Sequence, residues 1–151
     1  MKRRDALKNS AAVLGLLAAA GVLPQAAHAA YNKAAFEAKT MAEVLKALGA
    51  SAPAESKDVT LTAPDIAENG AVVPIGAATS LPNVKQLLIL VEKNPNTMIA
   101  AFTVNEALES NFLTRAKLGQ SSDVYAVAIT NDGKAFFAKK EVKVTLGGCG
   151  G

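Results

Sequence analysis

The apolar positions along the chain change period twice. A basic start is followed by an unbroken run of Ala, Val, Leu and Gly from Ala11 to Ala20, then Pro24 and the small-residue site Ala27-His28-Ala29. From Asn32 to Leu48 the period is helical. Ala34, Ala38, Met41, Val44, Leu45 and Leu48 share one side, with Lys39, Glu43 and Lys46 opposite and Gly49 as a stop. Phe36 stands off that stripe. Residues 50 to 56 carry no period and read as a linker or long turn.

From Lys57 onward the period is two. Val59 and Leu61 alternate with Asp58, Thr60 and Thr62, and Pro64 closes the run. Glu68-Asn69-Gly70 turns the chain into Val72, Val73 and Ile75, where Pro74 implies an edge position because it lacks a donor for a ladder. Val84 to Val91 is apolar on both faces apart from Lys85 and Gln86, the pattern of a central strand covered on both sides. Asn94-Pro95-Asn96 leads into Met98 to Val104, a hairpin with the preceding run. Residues 105 to 111 are irregular. Phe112, Thr114, Ala116 and Leu118 then alternate with Arg115 and Lys117, and Gly119 to Ser122 forms a turn before Val124 to Ile129. Asn131-Asp132-Gly133 is a hairpin signal returning the chain through Ala135 to Ala138. The clearest alternation is the last, with Val142, Val144 and Leu146 inward and Glu141, Lys143 and Thr145 outward. About seven short strands with turns between them predict a mainly β fold: an immunoglobulin-like antiparallel β-sandwich with one N-terminal helix. A small antiparallel barrel is the alternative architecture.

Composition narrows the chemistry. Half of the 151 residues are hydrophobic and only 5% are aromatic, so the core must be aliphatic. The net charge of +3 is local: Lys2, Arg3, Arg4 and Lys8 against Asp5 account for the whole excess. The rest of the chain is balanced, which offers no basic patch for nucleic acid. The basic start, short apolar run and Ala27-His28-Ala29 together form an export signal over residues 1–29. Arg3-Arg4-Asp5-Ala6-Leu7-Lys8 resembles the twin-arginine motif, with Ala6 where Phe is usual. The run is too short and too rich in Ala and Gly to span a bilayer, which wants about 20 apolar residues. The expected location is therefore the periplasm, with no membrane attachment after cleavage near Ala30.

Cleavage also removes His28, the single histidine, and leaves one cysteine, Cys149. That inventory rules out a Cys-His pair, a Ser-His-Asp triad, a His/Cys zinc site and an intrachain disulfide. No metal or cofactor is expected in this chain. Cys149 sits between Gly147-Gly148 and Gly150-Gly151, residues that lack a Cβ and cost the most entropy to order. Such a thiol is presented rather than buried. Nothing adjacent lowers its pKa from about 8.5, so activation must come from another protein's site. Residues 147–151 reach about 17 Å at roughly 3.4 Å per residue, enough to enter a pocket while the domain of residues 30–146 stays outside. These are the properties of a carrier with a flexible C-terminal glycine arm. The competing reading is an exported structural sandwich joined to another chain by a disulfide through Cys149.

The ending Leu146-Gly147-Gly148-Cys149-Gly150-Gly151 after Glu141-Val142-Lys143-Val144-Thr145, with a twin-arginine signal and one mature cysteine, closely resembles the SoxY family, the sulfur-compound carriers of bacterial thiosulfate oxidation. The resemblance continues through residues 66–74, 91–96 and 131–134 and spans essentially the whole chain. It implies a non-catalytic protein with Cys149 as substrate attachment point and Gly147, Gly148, Gly150 and Gly151 as the swinging arm. It also implies a heterodimer with a SoxZ-like β-sandwich subunit. Three partner enzymes follow: a haem enzyme that conjugates thiosulfate to the thiol as a cysteine S-thiosulfonate, a dimanganese hydrolase that releases sulfate, and a sulfane dehydrogenase.

Overall fold

The computed structural model describes residues 32–105 and 109–145. They form three layers: two short helices, a large sheet, and a small sheet. The helices are α1 (Lys33–Glu37) and α2 (Met41–Ala47). The predicted single helix is therefore broken. Ala38 is extended, with ψ 143°, and Thr40 caps α2 by accepting from the Glu43 amide. The Glu43 carboxylate in turn accepts from the Lys39 amide, one residue before the cap, at 2.8 Å. The break frees the Ala38 carbonyl to accept from the Thr97 amide at 3.1 Å and so tie the helices to the sheet. It also resolves the helical stripe, because Ala35 rather than Ala34 is buried and Phe36 packs against the same cluster. Gly49 ends α2 at φ +69°, in the left-handed region.

The strands are β1 (Pro53–Glu55), β2 (Val59–Thr62), β3 (Ile66–Ala67), β4 (Val73–Thr79), β5 (Val84–Val91), β6 (Met98–Thr103), β7 (Asn111–Ala116), β8 (Ser122–Thr130) and β9 (Ala135–Val144). The large sheet runs β1-β9-β8-β5-β6, with β3 also on β9, and the small sheet runs β2-β4-β7. All pairings are antiparallel except two short ones on the outer edge of β9, where β1 and β3 lie parallel to it. The predicted linker at 50–56 thus contains an edge strand, too short to show a period and held by main-chain bonds to β9. Residues 138 and 141 also do not bound separate strands. β9 is continuous, and Lys139 and Lys140 lie within it.

Burial follows the pleat of β5. Leu87, Ile89 and Val91 face the small sheet and Leu88 and Leu90 face the helices, and all five are fully buried. Between the sheets they meet Val73, Ile75 and Ala77 of β4, Val124, Ala126 and Ala128 of β8, and Val142 of β9. At one rim, Phe102 and Phe112 stack across the two sheets with ring centroids 4.4 Å apart. Pro74 lies in the central strand of the small sheet, yet its position is an edge: the β2 pairing stops at Thr62 opposite Gly76, leaving only Arg115 of β7 opposite Pro74. The result is a mainly β, immunoglobulin-like sandwich with helices on one outer face.

Candidate functional site

The predicted attachment residue Cys149, the arm glycines Gly147, Gly148, Gly150 and Gly151, and the signal residues Arg3 and Arg4 all lie outside the described residues. What the structure describes is the ground from which the last strand leaves the domain. β9 buries Val142 completely and half-buries Val144, while Glu141, Lys143 and Thr145 point outward, as the alternation predicts.

Both edges of that strand end are occupied. On the outer edge the amides of Lys143 and Thr145 donate to the carbonyls of Asp65 and Ala67 at 2.9 and 3.1 Å. On the inner side the Val144 amide donates to Ser121 Oγ at 2.9 Å. Neighbouring loops lock onto this pair. Leu118 N–H donates to the Gly70 carbonyl at 2.7 Å, and the Lys93 amide donates to Ser122 Oγ at 3.0 Å. Asn94 bridges the loops through its side chain, donating to the Lys117 carbonyl at 2.7 Å and accepting from the Gly119 amide at 3.3 Å. Main chain is therefore held in register as far as Thr145. Gly147 follows two residues later.

One side chain braces the outer clip. Lys140 Nζ donates to the Ala63 carbonyl at 2.7 Å and pairs with Asp65 at 2.9 Å, so it spans the gap on the edge of β9 between β1 and β3. On the helix-facing side of β8, Tyr125 donates to Glu92 at 3.4 Å. Burial first, then the Glu92 and Asp123 carboxylates and the hydrogen bond to Glu92, raise the Tyr125 pKa above its usual 10.0. That hydroxyl keeps its proton at neutral pH.

Two clefts lie elsewhere. Cavities of about 330 and 490 Å³ flank the Asn131-Asp132-Gly133 hairpin and are lined by Asn83, Asn131 and, respectively, Ser110 and Lys134. That hairpin is at the opposite end of β9, roughly 30 Å along the strand, whereas Cys149 is only about 14 Å of extended chain beyond Thr145. Among the described residues no group of three His, Cys, Asp or Glu side chains could hold a metal ion, and no helix is long and apolar enough to cross a membrane. The residues missed by sequence reasoning are those of the clip: Asp65, Ile66, Ala67, Ser121 and Lys140. Most act through main-chain bonds to a distant segment, which leaves little trace in composition or period.

Fold and strand end together define a β-sandwich carrying its single cysteine just past a firmly held terminal strand. Comparison with known proteins gives this class its family. The family model for the sulfur oxidation protein SoxY matches residues 44–149, a match that runs through the last strand to Cys149 itself. The chain belongs to the SoxY family. The sulfur carrier protein SoxY from Chlorobium limicola f thiosulfatophilum is 32% identical, with a TM-score of 0.61 over 68% of this chain and 93% of that one. A superoxide reductase (neelaredoxin) from Ignicoccus hospitalis is similar in fold alone, at 20% identity and a TM-score of 0.51 over 60% of this chain and 82% of that one. Comparison with curated protein sequences returns no match.

Proposed function

We propose that the protein is a periplasmic, non-catalytic carrier that holds sulfur intermediates covalently on Cys149. The observation that carries this reading is the family match extending to Cys149. In this reading residues 1–29 direct export by the twin-arginine route and are removed, and residues 147–151 are the arm. The carrier works as a heterodimer with a SoxZ-like subunit.

The chemistry has three stages, each performed by a partner. Thiosulfate joins the Cys149 sulfur through a new S–S bond, giving the S-thiosulfonate; the thiol proton is released and two electrons pass to the haem enzyme. Water then cleaves the terminal S–S bond at the dimanganese hydrolase, sulfate and protons leave, and a persulfide stays on Cys149. The sulfane dehydrogenase oxidises that remaining sulfur. This chain contributes three physical things: a nucleophilic sulfur, a segment narrow enough to thread a channel, and a strand root that does not yield when the segment is drawn into a site. A tether also keeps its cargo at high effective concentration once docked.

The test is turnover of thiosulfate by the reconstituted enzymes with wild-type or Cys149→Ser carrier. Loss of all sulfate release with Cys149→Ser is the expected result. Retained turnover would refute the reading, and so would a near-quantitative, permanent cross-link of Cys149 to another chain on non-reducing electrophoresis.

A further inference from the structure

Three polar residues are buried among the described residues: Thr97, Ser122 and Thr130. The protein itself satisfies two of them. Ser122 Oγ accepts from the Lys93 amide and donates to the Asp123 carbonyl, both at 3.0 Å, and Thr130 Oγ1 donates to the Lys134 carbonyl at 3.1 Å. Thr97 differs. It is 1% exposed, yet its Oγ1 has no hydrogen-bond partner in the protein, whereas the large majority of buried side-chain polar atoms have one. Its main chain is already held on both sides, because the Thr97 amide donates to the Ala38 carbonyl at 3.1 Å and the Thr97 carbonyl accepts from the Val91 amide at 2.8 Å. No backbone shift can bring the hydroxyl a partner without breaking one of those bonds.

Thr97 lines a cavity of about 100 Å³ where the break between the helices meets the end of β5, together with Lys39, Thr40, Met41, Glu92 and Tyr125. A water needs only roughly 10–15 Å³ of such space and two to four polar partners. The wall supplies partners of both kinds. Glu92 receives the Tyr125 hydroxyl at a long 3.4 Å, and its carboxylate has further lone pairs for a second donor. Lys39 gives two of its three N–H groups to the Pro95 carbonyl and Asn96 Oδ1, and the Thr40 hydroxyl, which accepts from the Glu43 amide, keeps a proton to donate. One charge of each sign on the wall favours neither a cation nor an anion. A small neutral ligand that both donates and accepts suits it. We infer that this cavity is a binding site for ordered water, and that a water hydrogen-bonded to Thr97 Oγ1 bridges the sheet to the break between the helices, helping to hold the helix layer in place.

A wet and a dry hydroxyl give opposite signs on removal, which makes the test. Thr97→Val keeps the shape of the side chain and deletes only the hydroxyl. In the mature chain it should lower the melting temperature by about 4 °C, the loss of one hydrogen bond in a domain of this size. A melting temperature that rises, or stays within about 1 °C of wild type, would overturn the proposal, because removing an unsatisfied buried hydroxyl does not destabilise. A crystal structure of the wild-type chain supplies the second readout. It should show an ordered water within about 3.2 Å of Thr97 Oγ1, bonded also to Glu92, Thr40 or Lys39, and that water should be missing or displaced in Thr97→Val. No water on Thr97 Oγ1, or a side chain turned onto it in the water's place, would overturn the proposal even where the variant is destabilised.

Discussion

Removing the charge that braces the arm root, by Lys140→Met, isolates the clip from the rest of the sandwich. Methionine keeps most of the aliphatic stem that lies along the sheet and deletes only the ammonium. The ammonium makes two contacts, a 2.7 Å hydrogen bond to the Ala63 carbonyl and a 2.9 Å pair with Asp65. A charged donor on a main-chain acceptor is worth about 1.5–3 kcal/mol, which the 36% exposure of the Lys140 side chain reduces to about 1 kcal/mol. Asp65 is 87% exposed, so the ion pair adds only a few tenths of a kcal/mol. The expected loss is about 1.5 kcal/mol in all, or roughly 4–8 °C in melting temperature for a domain of this size. The local readout is sharper than the global one. In amide exchange, Lys143 and Thr145, which donate to Asp65 and Ala67, should lose protection, while Thr130 at the opposite hairpin should keep it. A melting temperature within about 1 °C of wild type, with unchanged exchange at Lys143 and Thr145, would refute the bracing role.

Other perturbations follow from the same structure. Leu88→Ala opens a cavity between the large sheet and the helices and should cost about 2–5 kcal/mol in chemical denaturation, since Leu88 is fully buried. Asp132 accepts from the Thr130 hydroxyl and pairs with Lys134 at 2.9 Å, which holds its carboxyl down at about 2 against an ordinary 3.8. Because the folded form binds fewer protons across that window, its contribution is complete above about pH 4 and fades as pH falls toward 2. Asp132→Asn should flatten the dependence of the denaturation midpoint on pH in that interval, and an unaltered curve would contradict the assignment. Gly148→Val lies past the held strand and should leave the melting temperature unchanged while slowing sulfate release in the reconstituted system; unfolding of the sandwich by that change would misplace the arm.

The two-sided apolar run Val84 to Val91 announced the central strand, because a strand buried on both faces cannot alternate. Gly133, at φ +83°, supplied the turn that Asn131-Asp132-Gly133 implies. The interrupted helix was also written in the sequence, as Thr40-Met41-Ala42-Glu43, but the apolar spacing across Ala38 and Met41 masked the cap. β1 and β3 were not legible, since strands of three and two residues have no period and exist only through parallel pairing with β9. Lys139 and Lys140 looked like the end of a strand. They are part of β9, where Lys140 turns its ammonium to the sheet edge. The same contrast holds for the site: Cys149 stands out from its neighbours' composition, whereas its root is assembled from main-chain bonds between segments far apart in sequence.

The most direct measurement is the intact mass of the mature chain, purified as the heterodimer after exposure to thiosulfate and the conjugating enzyme. The carrier account predicts one thiosulfonate group in place of the Cys149 thiol hydrogen, localised to the peptide containing Cys149 and released by reductant. An unmodified mass, or the same increment on a Cys149→Ser chain, would contradict it.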